Sequence, residues 1–150
     1  MISLNKTIVP GQTIGIIGGG QLGRMMAIAA KEMGFFVAVL DPTPQSPCAQ
    51  VADIEIVASY SDEEALHQLA EISDVVTYEF ENIDADALKR LAKKGYVPQG
   101  SELLAMTQHR WKEKRAVQSV GLPVAPYRLV LKEEELEEAI QEIGIPSVLK

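Results

Sequence analysis

Gly18, Gly20 and Gly23 stand on a G-x-G-x-x-G spacing within Thr13-Ile-Gly-Ile-Ile-Gly-Gly-Gly-Gln-Leu-Gly-Arg-Met-Met26. Residues of this type at this spacing let backbone approach a phosphate. Gly18 can make the tight turn, Gly20 leaves room for the anion, and Gly23 lets a helix pack closely on its strand. The N–H groups and positive dipole end of a helix over Gln21–Ala30 then favour negative charge. The ligand class stays open at this level, because glycine turns serve many phosphates.

Asp41 lies eighteen positions beyond Gly23, where a dinucleotide site would place its ribose-binding acid. A nicotinamide or flavin cofactor is therefore one reading. The plainer one is that Asp41-Pro42 ends a strand and starts a turn. Glu79 and Glu81 occur in Tyr78-Glu-Phe-Glu-Asn82. In extended chain, residues i and i+2 share a face, so the pair could accept hydrogen bonds from ribose hydroxyls or an amine. Alternatively both are solvated, and Asn82 caps the next helix. Arg110 and Lys112 lie in Thr107-Gln-His-Arg-Trp-Lys-Glu-Lys114, with Thr107 as N-cap. The Arg fork suits a phosphate or a stacked base; the bland reading is a solvated helix face.

The remaining chemistry-bearing residues read as structural. His67 and His109 have no second ligand at metal spacing. Cys48 sits in a Pro-rich loop without a nearby base, and a single cysteine makes neither an internal disulfide nor a cysteine zinc site. Met25, Met26 and Met33 are read as core-facing helix residues, and Glu133, Glu134, Glu135, Glu137 and Glu138 as a solvated face.

These residues need strands and helices to position them. The pattern predicts strands over 13–17, 36–40, 54–57 and 74–78, with a short fifth over 96–98. Helices are expected over 21–33, over 62–71 with a Ser61/Glu64 capping box, and from 83 to about 94. Alternating strands and helices imply a doubly wound parallel sheet, with ligands beyond the carboxyl ends of its strands. The loops after Ile17, Leu40 and Tyr78 all lie on that edge. Beyond Gly100 the pattern changes to helices over 101–106 and 107–120, a strand over 127–131, a helix over 132–143 and a strand beginning at Ser147. This reads as the opening of a second domain.

The chain has 150 residues, 47% hydrophobic and 23% charged, as in ordinary globular proteins. A net charge of -7 argues against a nucleic-acid surface. Apolar runs are too short for a membrane span, and Met1–Gln12 lacks the apolar core of a secretory signal. A reducing, cytoplasmic setting fits the lone cysteine.

Several segments together resemble one family. They are Gly18-Gly-Gly-Gln-Leu-Gly-Arg-Met25, Leu40-Asp-Pro42 with Ser46-Pro47 and Gln50-Val-Ala52, Tyr78-Glu-Phe-Glu-Asn82, Thr107–Lys114 and Pro146-Ser-Val-Leu-Lys150. The family is the N5-carboxyaminoimidazole ribonucleotide synthetases, the ATPase subunits of bacterial phosphoribosylaminoimidazole carboxylase, which are ATP-grasp ligases of purine synthesis. The resemblance implies a pre-ATP-grasp domain over 1–100, a helical linker over 101–126 and the start of an α+β ATP-grasp domain over 127–150. It also implies ATP, Mg2+ and bicarbonate as reactants, carboxyphosphate as intermediate, aminoimidazole ribonucleotide as acceptor, and a homodimer.

By matching position, Gly20, Gln21 and Leu22 would face the ribonucleotide, Glu79 or Glu81 would be a substrate-contacting acid, and Ser46 is a weaker candidate. Arg110 and Lys150 match ATP-contacting positions. The family's glycine-rich phosphate loop and Mg2+ carboxylates do not follow Lys150, so the resemblance implies a truncated chain holding neither catalytic residues nor metal ligands. Two rivals remain. A formate-dependent glycinamide ribonucleotide transformylase typically has Glu where Gln21 stands. An NAD-binding Rossmann module has Asp41 as its support and leaves Lys150 unexplained.

Overall fold

A computed structural model of the chain describes residues 6–80 and 82–150. Residues up to Ala105 form one compact unit and Met106–Lys150 a second.

The first unit is built on four strands, β1 (Thr13–Ile17), β2 (Phe36–Asp41), β3 (Ile54–Val57) and β4 (Val75–Tyr78). All pairings are parallel, in the order β3-β2-β1-β4. Strands buried on both faces read as continuous apolar runs, which Ile14–Ile17 and Val37–Leu40 are. Alternation divides these runs between two cores. Ile16, Val37 and Val39 pack with Ala27 and Ala30 of helix α1 (Gln21–Glu32) on one face. Ile17, Ala38 and Leu40 pack on the other with Leu66 and Leu69 of α2 (Glu63–Ile72) and Leu88 and Leu91 of α3 (Ala85–Leu91). A helix on each face of a parallel sheet is the doubly wound arrangement.

Four expectations for the first unit are corrected. The fifth strand is absent. Val76 N–H does donate to Tyr96 O at 2.9 Å, which would be the first rung of a parallel ladder. The next rung would need the N–H of residue 98, and Pro98 has none. The cap of α2 is Asp62, not Ser61; its carboxylate accepts from Glu64 N and Ala65 N. Likewise Asp84, not Asn82, caps α3. Met25 and Met33 are 58% and 65% exposed, and only Met26 packs against the core. Successive helical positions turn by about 100°, so Met25 faces away from its neighbour, and Met33 already lies at the C-cap. Gly23, Ala27 and Ala30, all small, form the buried stripe instead.

Helix α4 (Glu102–Thr107) leads into α5 (Arg110–Ser119), whose N-cap is His109 rather than Thr107. A 3-10 turn at Glu133–Glu135 precedes α6 (Leu136–Ile143), which ends at Gly144 with φ 87°. The strands expected at 127–131 and 147–150 are irregular chain without ladder partners among the described residues. Side chains hold the first of these segments. Tyr127 donates to Gln118 Oε1 at 2.8 Å, and Arg128 pairs with Glu138 and Glu142 at 3.1 and 2.5 Å.

Candidate functional site at the carboxyl edge of the sheet

The carboxyl ends of β1, β2 and β4 converge on the glycine turn. Gly18 continues the ladder, donating its N–H to Leu40 O at 3.0 Å, and then turns sharply with φ 110°. That left-handed conformation is one an L side chain rarely adopts. A Cβ on Gly23 would collide with the carbonyl oxygen of Gly18, so the third glycine is what allows α1 to start directly on the turn. Gly20 is the N-cap of α1, which has no side-chain cap and no acidic residue in its first turn. Gln21 and Leu22 follow on the exposed side, Leu22 at 58%.

Glu79 leaves β4 still paired, its N–H reaching Ile17 O at 3.4 Å. Its carboxylate lies over the turn, with Oε1 2.9 Å from where a Cβ on Gly20 would sit and Oε2 3.4 Å from one on Gly23. Oε2 is buried and has no hydrogen-bond partner. An unpartnered buried carboxylate oxygen beside a helix N-terminus is an acceptor waiting for a donor. The neighbouring Phe80 ring presses on Gly18 and meets Tyr60 edge-on at 5.1 Å. Glu81 lies outside the described residues.

Asp41 is 7% exposed and both oxygens of its carboxylate are hydrogen-bonded. It accepts from Gly19 N at 2.6 Å, Thr43 N at 2.8 Å and the Tyr60 hydroxyl at 2.5 Å. Burial pushes its pKa up, but the Tyr60 hydroxyl and the Thr43 and Gly19 amides outweigh that and hold it below the usual carboxylate value. Burial and the bond to Asp41 raise the Tyr60 phenol. These bonds tie Asp41 to its own loop, with Oδ2 holding two donors and Oδ1 one, so its place at the strand end is explained without a ribose and the dinucleotide reading loses its main support.

Ser46, 2% exposed, sits behind the loop against Gly19, with Oγ 3.4 Å from Ala49 N. Cys48 is fully buried and its thiol is pushed up to about 11 by burial and by the Glu79 and Asp41 charges, the opposite of what a nucleophile needs. Thus Gly20, Gln21, Leu22 and Glu79 come together at one edge, with Ser46 behind them. Arg110 and Lys150 belong to the second unit, where both are exposed and Arg110 pairs with Glu113 at 2.8 Å. Tyr60, Phe80 and Gly19 were missed by spacing arguments. The available signal was a lone aromatic just past a strand's carboxyl end and a glycine in a variable slot of the fingerprint.

Among the described residues no group of three or more His, Cys, Asp or Glu side chains could hold a metal ion, and no helix is long and apolar enough to cross a membrane.

A parallel sheet in this order, with a glycine turn opening its first helix, defines a doubly wound α/β domain of the pre-ATP-grasp class. Residues 11–108 match the ribonucleotide synthetase preATP-grasp domain, and the chain belongs to that family. It is 62% identical over 145 residues to the N5-carboxyaminoimidazole ribonucleotide synthase of Bacillus subtilis, covering 97% of this chain and 38% of that protein. Among solved structures, an ADP complex of an N5-carboxyaminoimidazole ribonucleotide synthetase superposes with a TM-score of 0.92 at 66% identity, covering 95% of this chain and 38% of that one. The Aspergillus clavatus synthase in complex with ADP and 5-aminoimidazole ribonucleotide gives 0.83 at 32% identity, over 90% and 37%. The chain therefore spans a little over a third of the length of these relatives.

Proposed function

We propose that this chain forms the ribonucleotide-facing part of an N5-carboxyaminoimidazole ribonucleotide synthetase, which carboxylates aminoimidazole ribonucleotide at the expense of ATP and bicarbonate. The carrying observation is the Glu79 carboxylate over the first turn of α1, with Oε1 beside Gly20 and the buried, unpartnered Oε2 against Gly23. A carboxylate there suits the exocyclic amine of the substrate. The N–H groups of Gly20, Gln21 and Leu22, at the positive end of α1, suit its phosphate. Accepting a hydrogen bond from the amine would orient its lone pair toward the incoming carboxyl carbon. Ser46 supports the loop from behind, and Glu81 remains the second candidate acid. The names of the relatives, with their ADP and aminoimidazole ribonucleotide complexes, support the same reading.

The proposal includes Arg110 and Lys150 as ATP contacts, a cytoplasmic homodimer, and the division 1–100, 101–126 and 127–150 into pre-ATP-grasp domain, linker and start of the ATP-grasp domain. ATP and Mg2+ would supply phosphoryl activation of bicarbonate. No step of that activation is assigned to the residues described above, which offer no metal cluster.

Calorimetric titration with aminoimidazole ribonucleotide and with NADH tests the reading. The ribonucleotide should bind, NADH should not, and Glu79→Gln should weaken the former by about tenfold, the value of one hydrogen bond to a charged group. Ribonucleotide affinity untouched by Glu79→Gln, tight NADH binding, or bicarbonate-dependent ADP release by this chain alone would each refute it.

A further inference from the structure

Gly19 occupies a variable slot of the G-x-G-x-x-G pattern, yet its place in the structure tolerates nothing larger. A Cβ there would lie 2.7 Å from Asp41 Cβ and would collide with the Ser46 side chain. Both peptide groups of Gly19 are taken, one by the last residue of β2 and the other by the segment after it. Its N–H donates to Asp41 Oδ2 at 2.6 Å, and its carbonyl accepts from Cys48 N at 2.9 Å. The first is therefore withdrawn from any ligand, so the amides the turn can still offer begin at Gly20, the N-cap of α1.

We propose that Asp41, braced by Tyr60, is a positioning residue that bolts Gly19 and so sets the direction in which the turn presents its remaining amides. This rests on the substrate site proposed above. The side chain must be acceptor-only. Gly19 N–H, Thr43 N–H and the Tyr60 hydroxyl all donate to the two carboxylate oxygens. An asparagine has one acceptor oxygen, and its NH2 would face a donor whichever way it turned. Tyr60 ties this bolt to the other wall of the site, because its ring meets Phe80, which itself packs on Gly18.

Asp41→Asn and Tyr60→Phe test this in the chain as it stands, the second being the milder change. Amide hydrogen exchange at Gly19 should accelerate about tenfold in Asp41→Asn and about threefold in Tyr60→Phe, while Val39 and Val76 in the sheet stay protected. The dissociation constant for aminoimidazole ribonucleotide should rise by similar factors. If Asp41→Asn loses protection throughout the sheet, Tyr60→Phe alone decides. Unchanged Gly19 exchange in the variant that decides overturns the proposal, and so does faster exchange with undiminished affinity. If the unmodified chain binds no ribonucleotide, the substrate reading fails separately. Gly19 exchange then decides the bolt by itself, acceleration supporting it and retention overturning it.

Discussion

Replacing Gly23 and Gly20 in turn by alanine separates what the turn needs in order to fold from what it needs in order to bind. At Gly23 the added methyl meets the Gly18 carbonyl, a backbone atom inside a turn that is itself held to Leu40. It cannot swing aside, so the start of α1 must move. Overpacking of this kind costs up to about 3 kcal/mol, and helix propensity returns about 1 kcal/mol when Gly becomes Ala, leaving roughly 2 kcal/mol. For a unit of this size that is a fall in melting temperature of roughly 8–16 °C. At Gly20 the methyl meets only Glu79 Oε1, the end of a flexible side chain, and φ -70° is open to alanine. The cost there is about 1 kcal/mol or less, from replacing a favoured N-cap residue. Glu79 must rotate away, so ribonucleotide affinity should drop while the fold holds. Calorimetric melting together with titration checks both. Should Gly23→Ala melt at or above the unmodified chain, or no lower than Gly20→Ala, the steric reasoning fails.

Two further outcomes are expected. Asp62→Ala should destabilise α2 by about 1 kcal/mol, whereas Ser61→Ala should change little; urea melts of the two variants would be reversed if Ser61 were the cap. The pKa of Asp41 is lower in the folded chain than in the unfolded one, so its contribution to stability is complete above the ordinary aspartate value and is lost as pH falls through the folded value. Between pH 5 and 2, Asp41→Asn should therefore lose less stability than the unmodified chain does, and parallel acid curves would contradict this.

Most of the first unit was legible because its two central strands, β1 and β2, are buried on both faces. Such strands announce themselves as short apolar runs, and Thr13–Ile17 matches its expected bounds residue for residue; the edge strand Ile54–Val57, where only Ile56 is buried, matches its bounds on β-branched composition instead. Helix caps were less legible, since Ser61 and Asp62 are both good N-caps and only backbone geometry chooses between them. The strands expected in the second unit were not legible, because Tyr127–Leu131 has strand composition but finds no ladder among the described residues, and pairing rather than propensity makes a strand. At the site, the glycine spacing and the position of Glu79 could be read from the sequence. The engagement of Asp41 could not. Whether an acid at a strand end faces a ligand or folds back on a neighbouring amide depends on groups nineteen and twenty-two residues away, Tyr60 and Gly19.

The missing rung at Pro98 also decides what becomes of the open edge of β4. Beyond it, Gln99 turns its side-chain oxygen onto the Thr77 hydroxyl at 2.6 Å and Tyr78 N–H at 3.3 Å. The outermost amides of β4 are thus occupied by a carbonyl and a carboxamide rather than left as a template for another molecule's strand. A proline that halts the sheet and a glutamine that seals it make this margin self-terminating, so the β4 side closes without adding a strand.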